Sequence, residues 1–355
     1  MPSIRTNLTK LNQKAPVILA IESSCDDTAA AVLKNDTILA NITSTQTIHE
    51  QYGGVVPELA SRAHQQSIVP VVDAALRQAQ IQLSDIDAIA YTRGPGLMGS
   101  LVVGTSFAKA LSLALNKPLI DVHHMHGHIL AHFINEGQAI PSFPFICLTV
   151  SGGHTQLVVV HSPTNLEIKG STIDDAAGEA FDKIAKIIGL PYPGGPLVDK
   201  LAQEGNPDAF AFSKPQVVGY DFSFSGLKTS VLYFLQKQTA VDPDFVEKNK
   251  ADICASVQRT ILDILFKKLE LLVKDTGIKD IAIAGGVSAN TGLRQRLMDT
   301  GNKKGWNVFI PKFAYCTDNA AMIAMAGKFL YDAGIFGNQS QGAEARLPFL
   351  RSWNQ

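Results

Sequence analysis

Five of the nine histidines stand within one short stretch, at positions 123, 124, 126, 128 and 132. His124, His128 and His132 recur at i, i+4 and i+8. Each such step turns a helix by only about 40°. The spacing therefore predicts that His124 and His128 project from one helical face, as two imidazoles sharing a metal must. A His-rich surface helix is the bland alternative, and the density of imidazoles favours the metal. Two imidazoles do not complete a site, so a third ligand has to come from elsewhere in the chain. No Glu follows the first His, so the HExxH arrangement of zinc peptidases is absent and that chemistry is excluded.

Glycine turns supply the second group of chemical candidates. Ser151-Gly152-Gly153-His154, Pro193-Gly194-Gly195-Pro196 and the run Gly285 to Asn290 each follow an expected strand or helix. Glycine lets a backbone approach a ligand closely, and N–H groups at turns and helix starts bind phosphate. Together these turns predict a nucleotide cleft between two lobes. Gly94-Pro95-Gly96-Leu97-Met98-Gly99 formally meets the dinucleotide fingerprint, but Pro95 removes an N–H and a plain strand-to-helix turn explains it as well. No GxxxxGK[ST] occurs, which excludes a P-loop enzyme. The acids Asp174, Asp175, Glu179 and Asp182 cluster in IDDAAGEAFDK; helix-start acids complementing the macrodipole are the simple reading. Asp318 reads as an N-cap before a small-residue helix.

The elements that position these residues alternate between strand and helix patterns, an α/β class. VILAIESS, TAAAVL and TILANI form an expected meander, and FICLTVS, TQLVVV and LEIKGST form another about 130 residues on. Two such units suggest a duplicated core, one copy per lobe. A helix broken near Pro70, a helix after Ser100, a long helix from Asp252 to about Val273 and a closing helix after Asp318 complete the pattern.

At 355 residues the chain fits two domains. With 46% hydrophobic residues and a net charge of −1 it is neither disordered nor polybasic. Four widely spaced cysteines imply reduced thiols. No apolar run approaches the ~20 residues of a membrane span, and the basic, acid-free N-terminus lacks a secretory h-region. A cytoplasmic protein is expected, with a mitochondrial transit peptide as the alternative.

The motifs ILAIESSCDDTAAAVL, GGVVPELASRAH, TRGPGLMGSL, HHMHGH, VSGGHTQL, DDAAGEAFDKIAKIIGLPYPGGP, FSFSGLKTSV, AGGVSANTGLR and YCTDNAAMIA resemble, in this order, the TsaD/Kae family of tRNA threonylcarbamoyladenosine transferases, in its bacterial or organellar wording. The resemblance spans about residues 17–345. It implies an α/β, two-lobed, actin-like and sugar-kinase-like (ASKHA) fold with a duplicated ribonuclease-H-like core. The expected divisions are an extension over 1–16, lobes over 17–132 and 133–330, and a segment over 331–355 that packs on the N-terminal lobe or a partner.

The resemblance further implies transfer of threonylcarbamoyl from threonylcarbamoyl-AMP to N6 of a tRNA adenosine at position 37, with AMP leaving. His124, His128 and Asp318 would hold one Fe2+ or Zn2+, which sets aside the N-cap reading of Asp318. Thr149, Val150, Ser151, Gly152 and Gly153 would line the donor pocket. Asp182, Gly195 and Asp199 would contact the nucleoside, and Asn290 would close the pocket. His126 stands where Glu is expected in relatives and would point away from the metal. No nucleophile or general base stands out. The implied partners are tRNA, a TsaB-type paralogous subunit and a TsaE-type ATPase, with no membrane. An actin-like scaffold without catalysis and a nicotinamide oxidoreductase resting on residues 94–99 are the competing readings.

Overall fold

VILAIE (β1, Val17–Glu22) is buried at every position, the pattern of a strand covered on both faces. A computed structural model of the chain describes residues 15–349. The expected extension up to residue 14 and the last six residues lie outside the described residues. β1 is followed by β2 (Asp27–Lys34), β3 (Thr37–Thr45), α1 (Pro57–Ala79), β4 (Ala88–Gly94), α2 (Met98–Leu115), β5 (Leu119–His123) and α3 (His124–Leu130). Then come β6 (Phe145–Val150), β7 (Thr155–Ser162), β8 (Asn165–Ser171), α4 (Ala177–Ile187), α5 (Gly194–Ala202), α6 (Ser225–Thr239), α7 (Phe245–Lys248) and α8 (Lys250–Thr276). β9 (Asp280–Ala284), α9 (Thr291–Lys304), β10 (Asn307–Phe309) and α10 (Ala320–Asp332) complete the order.

The strands form two five-stranded sheets, β3-β2-β1-β4-β5 and β8-β7-β6-β9-β10. In both, the meander is antiparallel and the two later strands add in parallel. Strand order and sense therefore repeat. Thr28 and Thr155 both stand at the start of the second strand of their meanders, as expected.

The first sheet packs on one face against residues of α1 and α2, such as Ile68, Val72 and Ala108. On its other face lie Ala320–Ala326 and Leu330 of α10 with Leu130 of α3. α10 was expected in a lobe ending at 330; its small apolar residues instead complete the core of the first sheet. Gly127 of α3 permits this packing, since a Cβ there would stand 2.9 Å from the Ile323 side chain. The second sheet carries α4, α5, α6 and α8 on one face. On the other, Phe145, Cys147 and Val158 meet Ile129 of α3, so α3 is wedged between the sheets. Past α10 the chain returns along the first sheet. Gly337 N–H donates to Leu119 O at 2.8 Å, Glu344 N–H to Arg93 O at 2.9 Å, and Gly96 N–H to Ala345 O at 3.2 Å.

Three expectations change. α1 runs unbroken through Pro70, because Pro70 and Gln66, whose carbonyl loses its partner, are both on the exposed side where water replaces the bond. α3 stops at Leu130, so His132 lies in the 3-10 turn beyond it rather than on the helix. One helix, α2, does reach the length and apolarity of a membrane span, with 18 residues of mean hydropathy 1.4. Its Leu101, Gly104, Thr105, Ala108 and Ser112 are buried.

Candidate active site

His123 ends β5 and caps α3, its Nδ1 accepting from Met125 N–H at 3.2 Å. The cap fixes the helix start, so His124 is the first helical residue and His128 stands one turn on. Their rings meet edge to face with centroids 4.8 Å apart. Asp318 reaches them from the far end of the chain: its Oδ1 is 3.4 Å from His124 Nε2 and 3.1 Å from His128 Nε2. One ligand atom from each of the three lies within 4.8 Å of the others. Ligand atoms arranged tetrahedrally about a metal at ~2.1 Å stand about 3.4 Å apart, so the cluster fits a divalent ion. Both imidazoles are buried, and Asp318 keeps a quarter of its side chain exposed, which leaves an open side. The cap of α10 is Asn319, which accepts from Met322 N–H at 3.0 Å. Asp318 is thereby left for the cluster.

Glu22 at the end of β1 was not picked out from sequence. It is fully buried and accepts from Ser24 N–H and Thr92 Oγ1–H at 2.5 Å each, and from His124 Nδ1 at 3.1 Å. Ser24 Oγ also stands 3.1 Å from that Nδ1. With Glu22 accepting, the His124 proton belongs on Nδ1 and Nε2 faces the cluster, the outer-shell arrangement of metal-ligating histidines. His128 Nδ1 is buried without a partner among the described residues. Burial opposes charge at all three groups, and their mutual attraction overrides it. Asp318 and Glu22 lift His124 well above the usual imidazole range; His124, with His128 in the case of Asp318, holds both carboxyls below theirs. Asp27 differs: burial pushes its carboxyl up to about 6, and its Oδ1 is buried without a partner among the described residues. A single acid inside an otherwise apolar strand was the available signal for Glu22.

Beside the cluster opens a cavity of about 380 Å3, lined among others by Gly152, Asp182, Gly195, Asp199, Asn290 and Thr317. Five of the expected site residues thus share one space, which Thr317 joins to Asp318. Gly152 has nothing within 4 Å of a would-be Cβ, and Gly153 likewise. Thr149 and Val150 are buried in β6; Ser151 closes the turn by accepting from His154 N–H at 3.0 Å. These three shape the turn from behind rather than lining the cavity.

The carboxylates have local partners. Asp182 Oδ1 accepts from Gly194 and Gly195 N–H at 2.9 Å each, at the start of α5. Asp199 accepts from Thr291 N–H at 2.9 Å and Thr291 Oγ1–H at 2.8 Å, at the start of α9. Asn290 caps α9 through Leu293 N–H at 2.8 Å and donates to Gln258 Oε1 at 2.7 Å. Asp174 holds the start of α6 through Phe224 N–H at 2.8 Å, while Asp175 and Glu179 pair with Lys183. His126 turns away, as expected, to Phe349 O at 3.0 Å, and His132 bonds Ile283 O at 2.9 Å. At residues 94–99 packing within the chain accounts for the glycines: a Cβ on Gly96 would lie 2.4 Å from Ser24 O, and one on Gly94 2.0 Å from Glu344 O. The nicotinamide reading is set aside.

Among solved structures, full-length HypF in its phosphate- and nucleotide-bound form resembles the chain with a TM-score of 0.60 at 14% identity, over 90% of this chain and 47% of that one. A HypF from T. kodakarensis gives 0.58 at 15% identity, over 91% of this chain and 48% of that one. The chain spans about half the length of these proteins, and the likeness shows a related actin-like α/β fold. The pattern of the family described as "TsaD: tRNA N6-adenosine threonylcarbamoyltransferase" matches residues 37–325. Curated relatives bearing that description include one from Christiangramia forsetii, 64% identical over 94% of this chain and 98% of its own length. Another, from Porphyromonas gingivalis, is 62% identical over 91% of this chain and 96% of its own. With the family pattern matched over residues 37–325 and relatives above 60% identical along nearly their whole length, the chain belongs to the TsaD family.

Proposed function

We propose that the chain transfers the threonylcarbamoyl group of threonylcarbamoyl-AMP to N6 of the adenosine at position 37 in tRNAs reading codons that begin with A. The observation that carries this is the His124–His128–Asp318 cluster opening beside a glycine-rimmed cavity in a chain of this family. The donor is a mixed anhydride whose carbonyl is already electrophilic, so orientation outweighs covalent activation. The new bond joins N6 to the carbamoyl carbon; the bond from that carbon to the phosphate oxygen breaks, AMP takes the electron pair, and N6 gives up a proton.

An Fe2+ or Zn2+ held by His124, His128 and Asp318 would supply a Lewis acid for an oxygen of the donor. Glu22 and Ser24 keep the His124 proton on Nδ1 and its Nε2 aimed inward. The turn from Thr149 to Gly153 lets the donor approach through the open α-carbon of Gly152. Asp182, Gly195 and Asp199 hold the nucleoside, the two carboxylates acting by fixing the starts of α5 and α9 in the cavity wall. Asn290 closes the pocket. The repeat of strand order and sense in the two sheets supports a duplicated ribonuclease-H-like core in the ASKHA manner. A net charge of −1 gives no excess of cations to grip tRNA alone, which supports a TsaB-type subunit and a TsaE-type ATPase as partners in the cytoplasm.

The competing reading is an inert nucleotide-binding scaffold. Such a scaffold has no use for two buried imidazoles held against a carboxylate. Mass analysis of nucleosides from tRNA incubated with donor and partners, with and without the chain, separates the two. Threonylcarbamoyladenosine should appear only with the chain and fall sharply with His128→Ala; its absence from the complete reaction would favour the scaffold.

A further inference from the structure

Across the Ser151–His154 turn lies a second cavity, of about 510 Å3, that the reaction as described leaves unused. The turn divides the two spaces, Gly152 lining the first and His154 the second. His123 and Met125, on either side of His124, line the second cavity from the first lobe. Gln156 lines it from β7, and Arg346 and Phe349 from the returning C-terminal segment. The cluster is thus bordered on both sides: Thr317 belongs to the wall of the first cavity, His123 and Met125 to that of the second.

Gln156 is the informative residue. It is only 8% exposed, and its Oε1 is buried with no hydrogen-bond partner among the described residues. An orphaned buried amide oxygen calls for an explanation, and a ligand donor is one. Two flat rings stand in the same wall, His123 and Phe349, edge to face at 5.4 Å, and His126, outside the wall, stacks on His123 at 4.6 Å. Arg346 is exposed. These are the groups that recognise an extruded purine. Glutamine pairs with the N6 and N7 edge of adenine, unstacked RNA bases lie against rings, and an exposed guanidinium meets phosphate.

We propose that this second cavity receives the acceptor adenine of the tRNA, with Gln156 holding its N6–N7 edge and Arg346 meeting a neighbouring phosphate. The proposal rests on the transferase reading above. Gln156 Oε1 accepts one N6 hydrogen, and the nitrogen lone pair stays free to attack the donor at the cluster, which borders both spaces. Donor and acceptor then enter from separate sides and meet at the cluster, so neither has to leave for the other to bind.

The test uses the full chain with its partner proteins and an anticodon stem-loop RNA carrying 8-azidoadenosine at the acceptor position. Cross-linked peptides should contain Gln156 or residues 345–349; cross-links confined to Asp182–Pro196 or residues 286–290 would overturn the placement. With the unmodified stem-loop, Gln156→Leu should raise KM for RNA by about five- to a hundredfold while AMP affinity is unchanged. Arg346→Glu, on an exposed side chain that leaves the core intact, should raise it as well and flatten the loss with salt, since one phosphate contact fewer is made. If Gln156→Leu also loses AMP binding it has misfolded, and Arg346→Glu and the cross-links decide. Wild-type RNA KM in both variants would refute the acceptor site while the transferase reading stands. Absence of modified adenosine with the unaltered chain would sink both.

Discussion

Replacing Glu22 by Gln is the sharpest test of how the metal cluster is held. Its carboxylate oxygens receive three donors: Ser24 N–H and Thr92 Oγ1–H at 2.5 Å, and His124 Nδ1–H at 3.1 Å. Glutamine is nearly the same size but offers one oxygen and one NH2. Whichever way the amide turns, its NH2 faces a donor. The relief open to the site is for His124 to move its proton to Nε2, the nitrogen the metal needs. Outer-shell losses of this kind cost about 10- to 100-fold in metal affinity, or roughly 1.4–2.8 kcal/mol. The lost buried hydrogen bonds cost about 1–3 kcal/mol of stability. The assay is titration of metal-stripped protein with Zn2+ against a chromophoric chelator, beside thermal melts of the same samples. A cooperatively folded Glu22→Gln protein with zinc affinity within about twofold of the parent would refute the argument that Glu22 sets the His124 tautomer.

Gly152→Val should keep a cooperative melt, since its Cβ meets nothing within 4 Å, yet weaken AMP binding at least ~10-fold by filling the donor space; calorimetry that finds AMP affinity unchanged removes the turn from the pocket. Asp182→Ala should lower stability by about 1 kcal/mol through loss of the cap on α5 and weaken AMP binding while metal content holds, read by melts, calorimetry and elemental analysis. His132 is buried, which holds its imidazole down to about 4 against an ordinary 6.5. Its neutral form is the folded one, so stability is full above pH 6.5 and falls as pH drops from 6.5 towards 4, by up to about 3 kcal/mol. Urea melts across that range should show a shallower acid limb in His132→Gln; an unchanged limb would exclude His132 as a source of the acid loss.

Local pattern carried much of this architecture. The two meanders, the glycine turns and the shared face of His124 and His128 are short-range features, fixed by periods of two and 3.6 residues. Contacts between distant segments were hidden. Asp318 and Asn319 are adjacent polar residues before one helix, and only the arrival of α3 decides which caps and which joins the cluster. Glu22 looks like a strand end until Thr92 and His124 are brought beside it. Asp182 was legible as one of a cluster of acids and Asp199 only through the family resemblance, and their bonds to the starts of α5 and α9 depend on packing that chain order does not reveal. Pro70 was misread because a proline's cost depends on which side of the helix faces water.

The path of α10 and the segment after it has a consequence for how the chain comes off the ribosome. The first sheet is made early, but the helix covering one of its faces, and the strand-like return beside Arg93 and Leu119, are made only after every strand of the second sheet. The second lobe is in effect inserted into the first. Its sheet and helices can close while the first lobe still lacks a wall, the reverse of N-terminal-first folding. Asp318 lies 190 residues beyond His128, so a nascent or truncated chain holds two imidazoles and no carboxylate. Ion capture by the complete cluster therefore waits until the strands of both sheets have been made.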